Sequence, residues 1–442
     1  MTVAFATLGC KLNQYDTTEV QALLEAEGFR TVPFETPAQV YVINTCTVTA
    51  RAELSDRRTI RRAARANPAA TVVVTGCWAQ TSPGAVAGMN EVDLVVGNGD
   101  KHRLPDLLEG IGGGAGQAAG RVHVSDIGEV RAIEVTPAAE RPAGRSRAFL
   151  KVQDGCQHRC AFCVVPLARG ASRSLDPAAV LDQARRLVEA GHPELVLTGV
   201  DLGHYGADRT PRTSLAALVR SLGEIPGLHW VRLSSLLPAY FTPELVDVVT
   251  TSPKVAPHFH IPLQSGSDRV LRAMRRPYNS AMYRAIVERL AAAYPRLGLG
   301  ADLIAGFPGE TDADFAGTVA FVGAMPFSYL HVFPYSSRTG TEAASFAKRL
   351  DARTITTRSS ALRDIGSAKS EEFRRAMVGH VEDVLVLETV DRATGGLVGL
   401  SGNFVEVVFA GPRNIVGTVV TARVTGVEGN RTLGELVGAV GR

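Results

Sequence analysis

The chain has 442 residues, 45% of them hydrophobic, with 47 Lys and Arg against 44 Asp and Glu. That apolar mass can fill about three domains of ~150 residues each, which excludes a disordered or low-complexity protein. The near balance of charge excludes an overall field that would draw in a polyanion, so any nucleic-acid contact must come from local clusters.

Residues 1–112 alternate β-rich apolar runs with helix-like runs. VAFATLG (3–9), VYVINTC (40–46), TVVVTGC (71–77) and VDLVVGN (92–98) read as strands. Continuous apolar strands split by helices imply a parallel α/β sheet covered on both faces, with ligands beyond the carboxyl ends of the strands. Cys10, Cys46 and Cys77 each fall where one of these strands gives out. Taken singly each reads as a packed thiol. Taken together they form a triad at one sheet edge.

A helix starting just after Cys46 carries Arg57, Arg58, Arg61, Arg62 and Arg65. Spacings of three and four place several of them on one face, as a solvated surface or as a phosphate-binding stripe. Residues 113–146, with their Gly, Ala and Pro, read as a linker region around one short apolar segment.

From 147 to 375 the strand and helix pattern resumes. FLKVQDG, ELVLTGV, HWVRLSSL, HFHIPLQ, GLGADLIAGFP and SYLHVFP are six strands of an open or partial (β/α)6 barrel, whose chemistry belongs at the C-terminal strand ends. After the first of them comes DGCQHRCAFC, a C-x3-C-x2-C run of Cys156, Cys160 and Cys163. Structural zinc needs four ligands, and within the loop only His158 is available as the fourth. A disulfide leaves one thiol over. A [4Fe–4S] cluster held by three cysteines keeps one iron open to a ligand. Residues 376–442 show short β runs parted by Gly- and Asn-rich turns, which imply a small antiparallel β-barrel. From residue 379 on, five Arg face seven Asp and Glu.

The phrases TLGCKLNQYD, VINTCTVT, VVVTGCWAQ, VDLVVGN, KVQDGCQHRCAFCVVPLARG, LTGVDLGHYG, HFHIPLQSGSDRVLRAMRRPY and GFPGET, in that order, resemble the methylthiotransferases of the radical S-adenosylmethionine (SAM) superfamily. The wording around Cys10 and Cys46 most resembles the branch acting on N6-threonylcarbamoyladenosine in tRNA. The resemblance implies that Cys156, Cys160 and Cys163 hold a [4Fe–4S] cluster that binds SAM and cleaves it to a 5′-deoxyadenosyl radical. It implies that Cys10, Cys46 and Cys77 hold a second [4Fe–4S] cluster carrying the sulfur to be methylated and delivered to C2 of the adenine. It further implies an electron donor such as flavodoxin or ferredoxin, a sulfur source, and an RNA-binding TRAM domain at the C-terminus.

On this resemblance Phe162 lies near the SAM adenine, and Gly199 to Asp201 near its amino group. By barrel geometry Ser234, Ser235, Gln264 and Gly306 join the cofactor-side loops. Leu167 stands where the family usually has Tyr, and Leu237 where this branch usually has Glu, which leaves that mouth position without a carboxylate. The rival expectations are action on isopentenyladenosine in tRNA or on a ribosomal protein, and a non-catalytic iron–sulfur RNA-binding protein. No run reaches the ~18 apolar residues of a membrane span, so the expected location is the cytoplasm.

Overall fold

The computed structural model describes residues 1–109, 121–133 and 146–439. The strands in chain order are β1 (Thr2–Thr7), β2 (Arg30–Val32), β3 (Val40–Thr45), β4 (Thr71–Gly76), β5 (Leu94–Val96), β6 (Arg121–His123), β7 (Ala148–Lys151), β8 (Gln153–Asp154), β9 (Arg173–Ser174), β10 (Glu194–Thr198), β11 (Trp230–Leu233), β12 (His258–His260), β13 (Gly298–Ala305), β14 (Tyr329–Pro334), β15 (Val381–Val390), β16 (Leu397–Ser401), β17 (Glu406–Phe409), β18 (Val419–Glu428) and β19 (Arg431–Ala439). Two compact units share them. The first comprises Met1–Ala139, Gln153–Leu175 and Ser336–Ser345, and the second Glu140–Val152, Asp176–Tyr335 and Phe346–Arg442.

In the first unit, β1 to β6 form one parallel sheet in the order β2-β1-β3-β4-β5-β6. Every residue of β3 is buried, which is why its sequence is a continuous apolar run instead of an alternation. Alternate side chains feed opposite faces: Tyr41, Ile43, Val72 and Val74 pack with Ile60 and Trp78, while Val40, Val42, Val73 and Leu94 pack with Val20 and Leu24. The helices α1 (Lys11–Ala26), α2 (Ala50–Ala66) and α3 (Cys77–Thr81) follow β1, β3 and β4 directly. Thr49 caps α2, its hydroxyl accepting from the Ala52 amide. Most of the stretch read as a linker, 113–146, lies outside the described residues, but β6 belongs to the sheet. Its three residues, RVH, have neither the length nor the alternation to announce a strand.

In the second unit, β7, β10 and β11 form one parallel sheet and β12, β13 and β14 another. The amide of Ala256 donates to Val231 O at 3.0 Å and that of Leu236 to His260 O at 3.0 Å, joining the two halves into the partial barrel. The last five strands close a barrel in the order β15-β16-β17-β19-β18. All its pairs are antiparallel except β17 with β19, which run parallel; strand spacing in sequence carried no sign of that closing pair. Val384, Val386, Leu397, Val407, Phe409, Val420 and Val424 fill its core.

The two barrels are joined through their interiors. Arg232 of β11 and Glu194 of β10, both fully buried, form a two-pronged ion pair at 2.7 and 3.1 Å. Arg232 also donates to the carbonyls of Gly402 (2.8 Å) and Ser401 (3.3 Å) in the β16–β17 turn. Every donor of this guanidinium that faces the turn is thereby satisfied, as a buried cation requires.

Candidate metal centres

The N-terminal triad arises because three parallel strands end side by side. Cys10 is the residue before α1, Cys46 follows β3, and Cys77 opens α3 immediately after β4. Gly76 makes the last step possible: its φ is +97°, and a Cβ there would lie 2.4 Å from Asn44 Oδ1 and 2.5 Å from the Thr45 amide nitrogen. Asn13 of α1 ties the strand ends together, donating to Leu8 O at 2.8 Å and Thr45 O at 2.9 Å. Cys10 is exposed, whereas Cys46 and Cys77 are buried. Burial pushes the Cys46 thiol up to about 12. It also pushes the Cys77 thiol up, with the Arg169 guanidinium pulling the other way. Asp56 accepts the Cys46 amide at 3.2 Å. Burial raises its carboxyl to about 7 against that bond.

The second triad sits on a loop closed by β8 and β9, which pair antiparallel with Gln153 opposite Ser174 and Asp154 opposite Arg173. Gln153 donates to Gly155 O (2.7 Å) and Ser172 Oγ (2.9 Å), and the Cys156 amide to Gly170 O (2.9 Å). Gly155, at φ +75°, could carry no Cβ, since one would stand 1.9 Å from Ala171 O. Cys156, Cys160 and Cys163 are half-buried, and no disulfide joins any of the six cysteines.

Both triads lie in the first unit, and two side chains connect them. Arg169 is 3% exposed and donates to Asp154 (3.1 Å to each oxygen), Asp16 (2.9 Å) and Asn13 Oδ1 (2.7 Å). Asn98, two residues beyond β5, donates to Ala168 O at 2.7 Å while its side-chain amide nitrogen lies 3.9 Å from Cys77 Sγ. Lys101 adds a second cation on Asp16 at 2.8 Å. The segment Ser336–Ser345 belongs to this unit as well. Ser336 Oγ accepts the Ala50 amide, Arg338 pairs with Thr47 Oγ1 and Glu53, and the Ala343 amide donates to Ala161 O at 2.7 Å.

The donor set fits iron–sulfur clusters better than single ions. A tetrahedral zinc with ~2.3 Å bonds needs sulfurs about 3.8 Å apart. Among the described residues the trio of ligand atoms all within 4.8 Å of one another is His260, Asp302 and His331, and it contains no sulfur. Each triad also supplies three thiols, one short of the four that would close a cluster. Burial favours the neutral thiol at Cys46 and Cys77, and ligation as thiolate releases protons.

In the second unit, the barrel positions named from the sequence fall at strand ends. Gly199 to Asp201 follow β10; Asp201 is buried, and its Oδ2 accepts from Tyr240 OH at 3.0 Å. Ser234 and Ser235 follow β11. Ser234 is buried with its hydroxyl unpartnered, while Ser235 is exposed. Gln264 takes φ +67° and continues the ladder beside β13, its amide donating to Asp302 O at 2.8 Å. Gly306, at φ +80°, donates its amide to Glu310 Oε2 at 2.9 Å. Phe162, in the first unit, is half-buried.

The five arginines of α2 divide. Arg57 stacks on Trp78 and Arg62 on Phe34, each with the guanidinium carbon 4.6 Å from the ring centroid, and Arg61 pairs with Glu91 at 3.5 Å. Arg58 and Arg65 are exposed and have no partner among the described residues. Seven apart, they share a face with the exposed Arg51.

Sequence reasoning does not single out Asn13, Asn98, Arg169 or Arg338. The first three stand inside the phrases quoted above, TLGCKLNQYD, VDLVVGN and VVPLARG, so the signal was there without a chemistry to attach to it.

The description "Radical SAM superfamily" matches residues 150–322, and "Uncharacterized protein family UPF0004" matches residues 2–97. The fold agrees: the radical SAM methyltransferase TsrM from Kitasatospora setae superposes with a TM-score of 0.54 over 75% of this chain and 74% of its own, at 17% identity. Together they define a chain with a radical SAM domain and fold. The threonylcarbamoyladenosine tRNA methylthiotransferase MtaB of Bacillus subtilis is 37% identical over 96% of this chain and 93% of its own. That of Aquifex aeolicus is 40% identical over 88% and 93%. A tRNA-2-methylthio-N(6)-dimethylallyladenosine synthase of Cereibacter sphaeroides is 37% identical over 98% of each chain. The chain belongs to the radical SAM methylthiotransferases, as a member of the MtaB type. It is a transferase whose cofactors are SAM and [4Fe–4S] clusters.

Proposed function

We propose that this enzyme inserts a methylthio group at C2 of N6-threonylcarbamoyladenosine next to the anticodon of tRNA. One observation carries the reading: two three-cysteine sites are built into a single compact unit and tied to each other by Arg169 and Asn98. Cys156, Cys160 and Cys163 would hold the SAM-binding cluster, and Cys10, Cys46 and Cys77 the cluster that donates sulfur. When bound, these groups supply one-electron cleavage of SAM and a transferable, methylated sulfur.

The residues of the chain position and enclose. Arg169 and Asn98 hold the loop of one triad against the strand ends that carry the other. Ser234, with its buried and unspent hydroxyl, suits a hydroxyl of the SAM ribose, and Gly199, Asp201, Ser235, Gln264 and Gly306 line the strand ends around it. Phe162, on the cysteine loop of the first unit, is the aromatic residue that the family resemblance assigns to the SAM adenine. Loading and turnover call on an electron donor such as flavodoxin or ferredoxin and on a sulfur source, in the cytoplasm. No helix among the described residues is long and apolar enough to cross a membrane.

Nucleoside mass spectrometry of tRNA from cells with and without the protein tests the reading. The 2-methylthio derivative of N6-threonylcarbamoyladenosine should vanish and its precursor accumulate. Loss of the isopentenyl derivative instead, or no change in tRNA, would overturn it.

Arg58 and Arg65, exposed and without a partner among the described residues, are assigned to tRNA phosphates. Replacing both with Ala should weaken tRNA binding and reduce the salt slope by up to about 0.7–0.9 per lost contact. Replacing Arg57 and Arg62, which spend their guanidinium faces on Trp78 and Phe34, should change the slope less. Filter-binding titrations between low and moderate salt distinguish the two pairs.

A further inference from the structure

The inner face of the barrel in the second unit carries a ladder of polar groups that runs from a sealed floor to an open rim. At the floor the β16–β17 turn inserts Phe404, held at φ +71°. Its ring stacks on His258 with centroids 4.4 Å apart and lies 5.3 Å from the Arg232 guanidinium. Above it His258 Nε2 meets Tyr329 OH at 2.9 Å, and Tyr329 OH meets His260 Nδ1 at 3.0 Å. His260 Nε2 then faces Asp302 Oδ1 at 3.1 Å, and the same oxygen faces His331 Nδ1 at 3.4 Å. Side-chain exposure rises along the last three, from 8% to 25% to 56%. Leu330, the neighbour of His331, packs toward Gly366 of the helix Ala352–Ala376, so by strand alternation His331 points to the opposite, interior face.

Burial alone would raise the carboxyl of Asp302, but hydrogen bonds from His260 and His331 outweigh it and hold it well below its ordinary range. The anion orients the His331 ring through Nδ1. Nε2 is left facing outward, without a partner among the described residues. An imidazole anchored in this way on one carboxylate is built to take a second anion on its other nitrogen.

We propose that His331, oriented by Asp302, is the specificity residue that binds the carboxylate of the threonylcarbamoyl group on the target adenosine. The inference rests on the substrate proposed above and deepens it. Threonine joined through its nitrogen to a carbamoyl group keeps its α-carboxylate, whereas an isopentenyl chain is wholly apolar and would lie against His260, Asp302 and His331 without satisfying any of them.

The test is binding without turnover. Holoenzyme carrying both clusters, with SAM and no reductant, is titrated with three anticodon stem-loop RNAs. One carries N6-threonylcarbamoyladenosine, one the same group with its carboxylate converted to the primary amide, and one unmodified adenosine. Wild-type protein should prefer the carboxylate over the amide by roughly 10- to 100-fold, the range of a charge-assisted hydrogen bond. His331→Phe should bring that ratio to about one while binding the unmodified RNA as wild type does, and His331→Gln should retain part of the preference. His331 is exposed, so neither variant threatens the fold. A preference that survives in His331→Phe overturns the proposal. So does one equivalent of a non-iron divalent metal in wild-type protein that is lost in Asp302→Asn, which would make the trio a metal site. If wild type methylthiolates the threonylcarbamoyl RNA yet shows no carboxylate preference, the specificity role alone falls. If it does not methylthiolate that RNA at all, the substrate falls and the subsite with it.

Discussion

Replacing Arg169 with Met is expected to destabilise the first unit by about 3–5 kcal/mol, the cost of leaving buried charges without their partner, and to lower its melting temperature by roughly 6–20 °C. The guanidinium is 3% exposed and satisfies Asp16, Asp154 and Asn13 at once. The three come from different parts of the chain: Asn13 and Asp16 from α1, and Asp154 from the start of the cysteine loop. Without the guanidinium Asp154, only 14% exposed, is left with the Gly155 amide at 2.7 Å and a longer contact to Arg173 at 3.9 Å, and the loop loses its hold on α1. Asp16 suffers less, because Lys101 still reaches it. Arg169→Lys keeps the charge but not the planar fork that spans three partners, so an intermediate loss is expected. Adding Asp154→Asn to Arg169→Met should recover part of the stability, a coupling that a double-mutant cycle by thermal or denaturant unfolding reads directly. An Arg169→Met protein that melts with wild type would show that the loop is held by its own β8–β9 pairing instead.

That network explains what the sequence reveals and what it conceals. β3 and β4 are legible because both faces of each are covered, which forces unbroken runs of Val and Ile, and the positions of Cys10, Cys46 and Cys77 at strand ends follow from the same pattern. Among the barrel strands β10, buried along its whole length, is legible for the same reason. Arg169 is not, because nothing local distinguishes an arginine that will meet Asp16 across 153 residues of chain from one that will stay in water. The same limit hides Arg338, whose segment joins the first unit although the residues before and after it belong to the second. It also hides Phe404, which reads as one aromatic in a turn until the barrel floor it seals is in view. The arginine face of α2 shows the converse error. Helical periodicity places several of the five on one face, and only packing separates Arg57, Arg61 and Arg62, which have protein partners, from Arg58 and Arg65, which have none among the described residues.

The largest functional effects belong to the cysteines, and the two triads should fail in different ways. Anaerobically reconstituted wild-type protein should carry about eight irons, four per three-cysteine site. Cys160→Ala should retain about four irons and lose SAM cleavage, because one of only three anchors of the loop-borne cluster is gone. Cys10→Ala should also retain about four irons, yet go on forming 5′-deoxyadenosine while delivering no methylthio group. Cys10 is the informative choice among the N-terminal three. It is exposed, while Cys46 and Cys77 are buried, so its loss leaves no cavity and any effect reports ligation and not packing. Iron analysis, 5′-deoxyadenosine quantification and product mass spectrometry on the same preparations separate the outcomes. A Cys10→Ala protein with its full complement of iron and unimpaired transfer would mean that the N-terminal triad is packing after all. Loss of all eight irons from either variant would mean that the Arg169 and Asn98 connections make the two clusters a single cooperative assembly, each site depending on the other's occupancy for its shape.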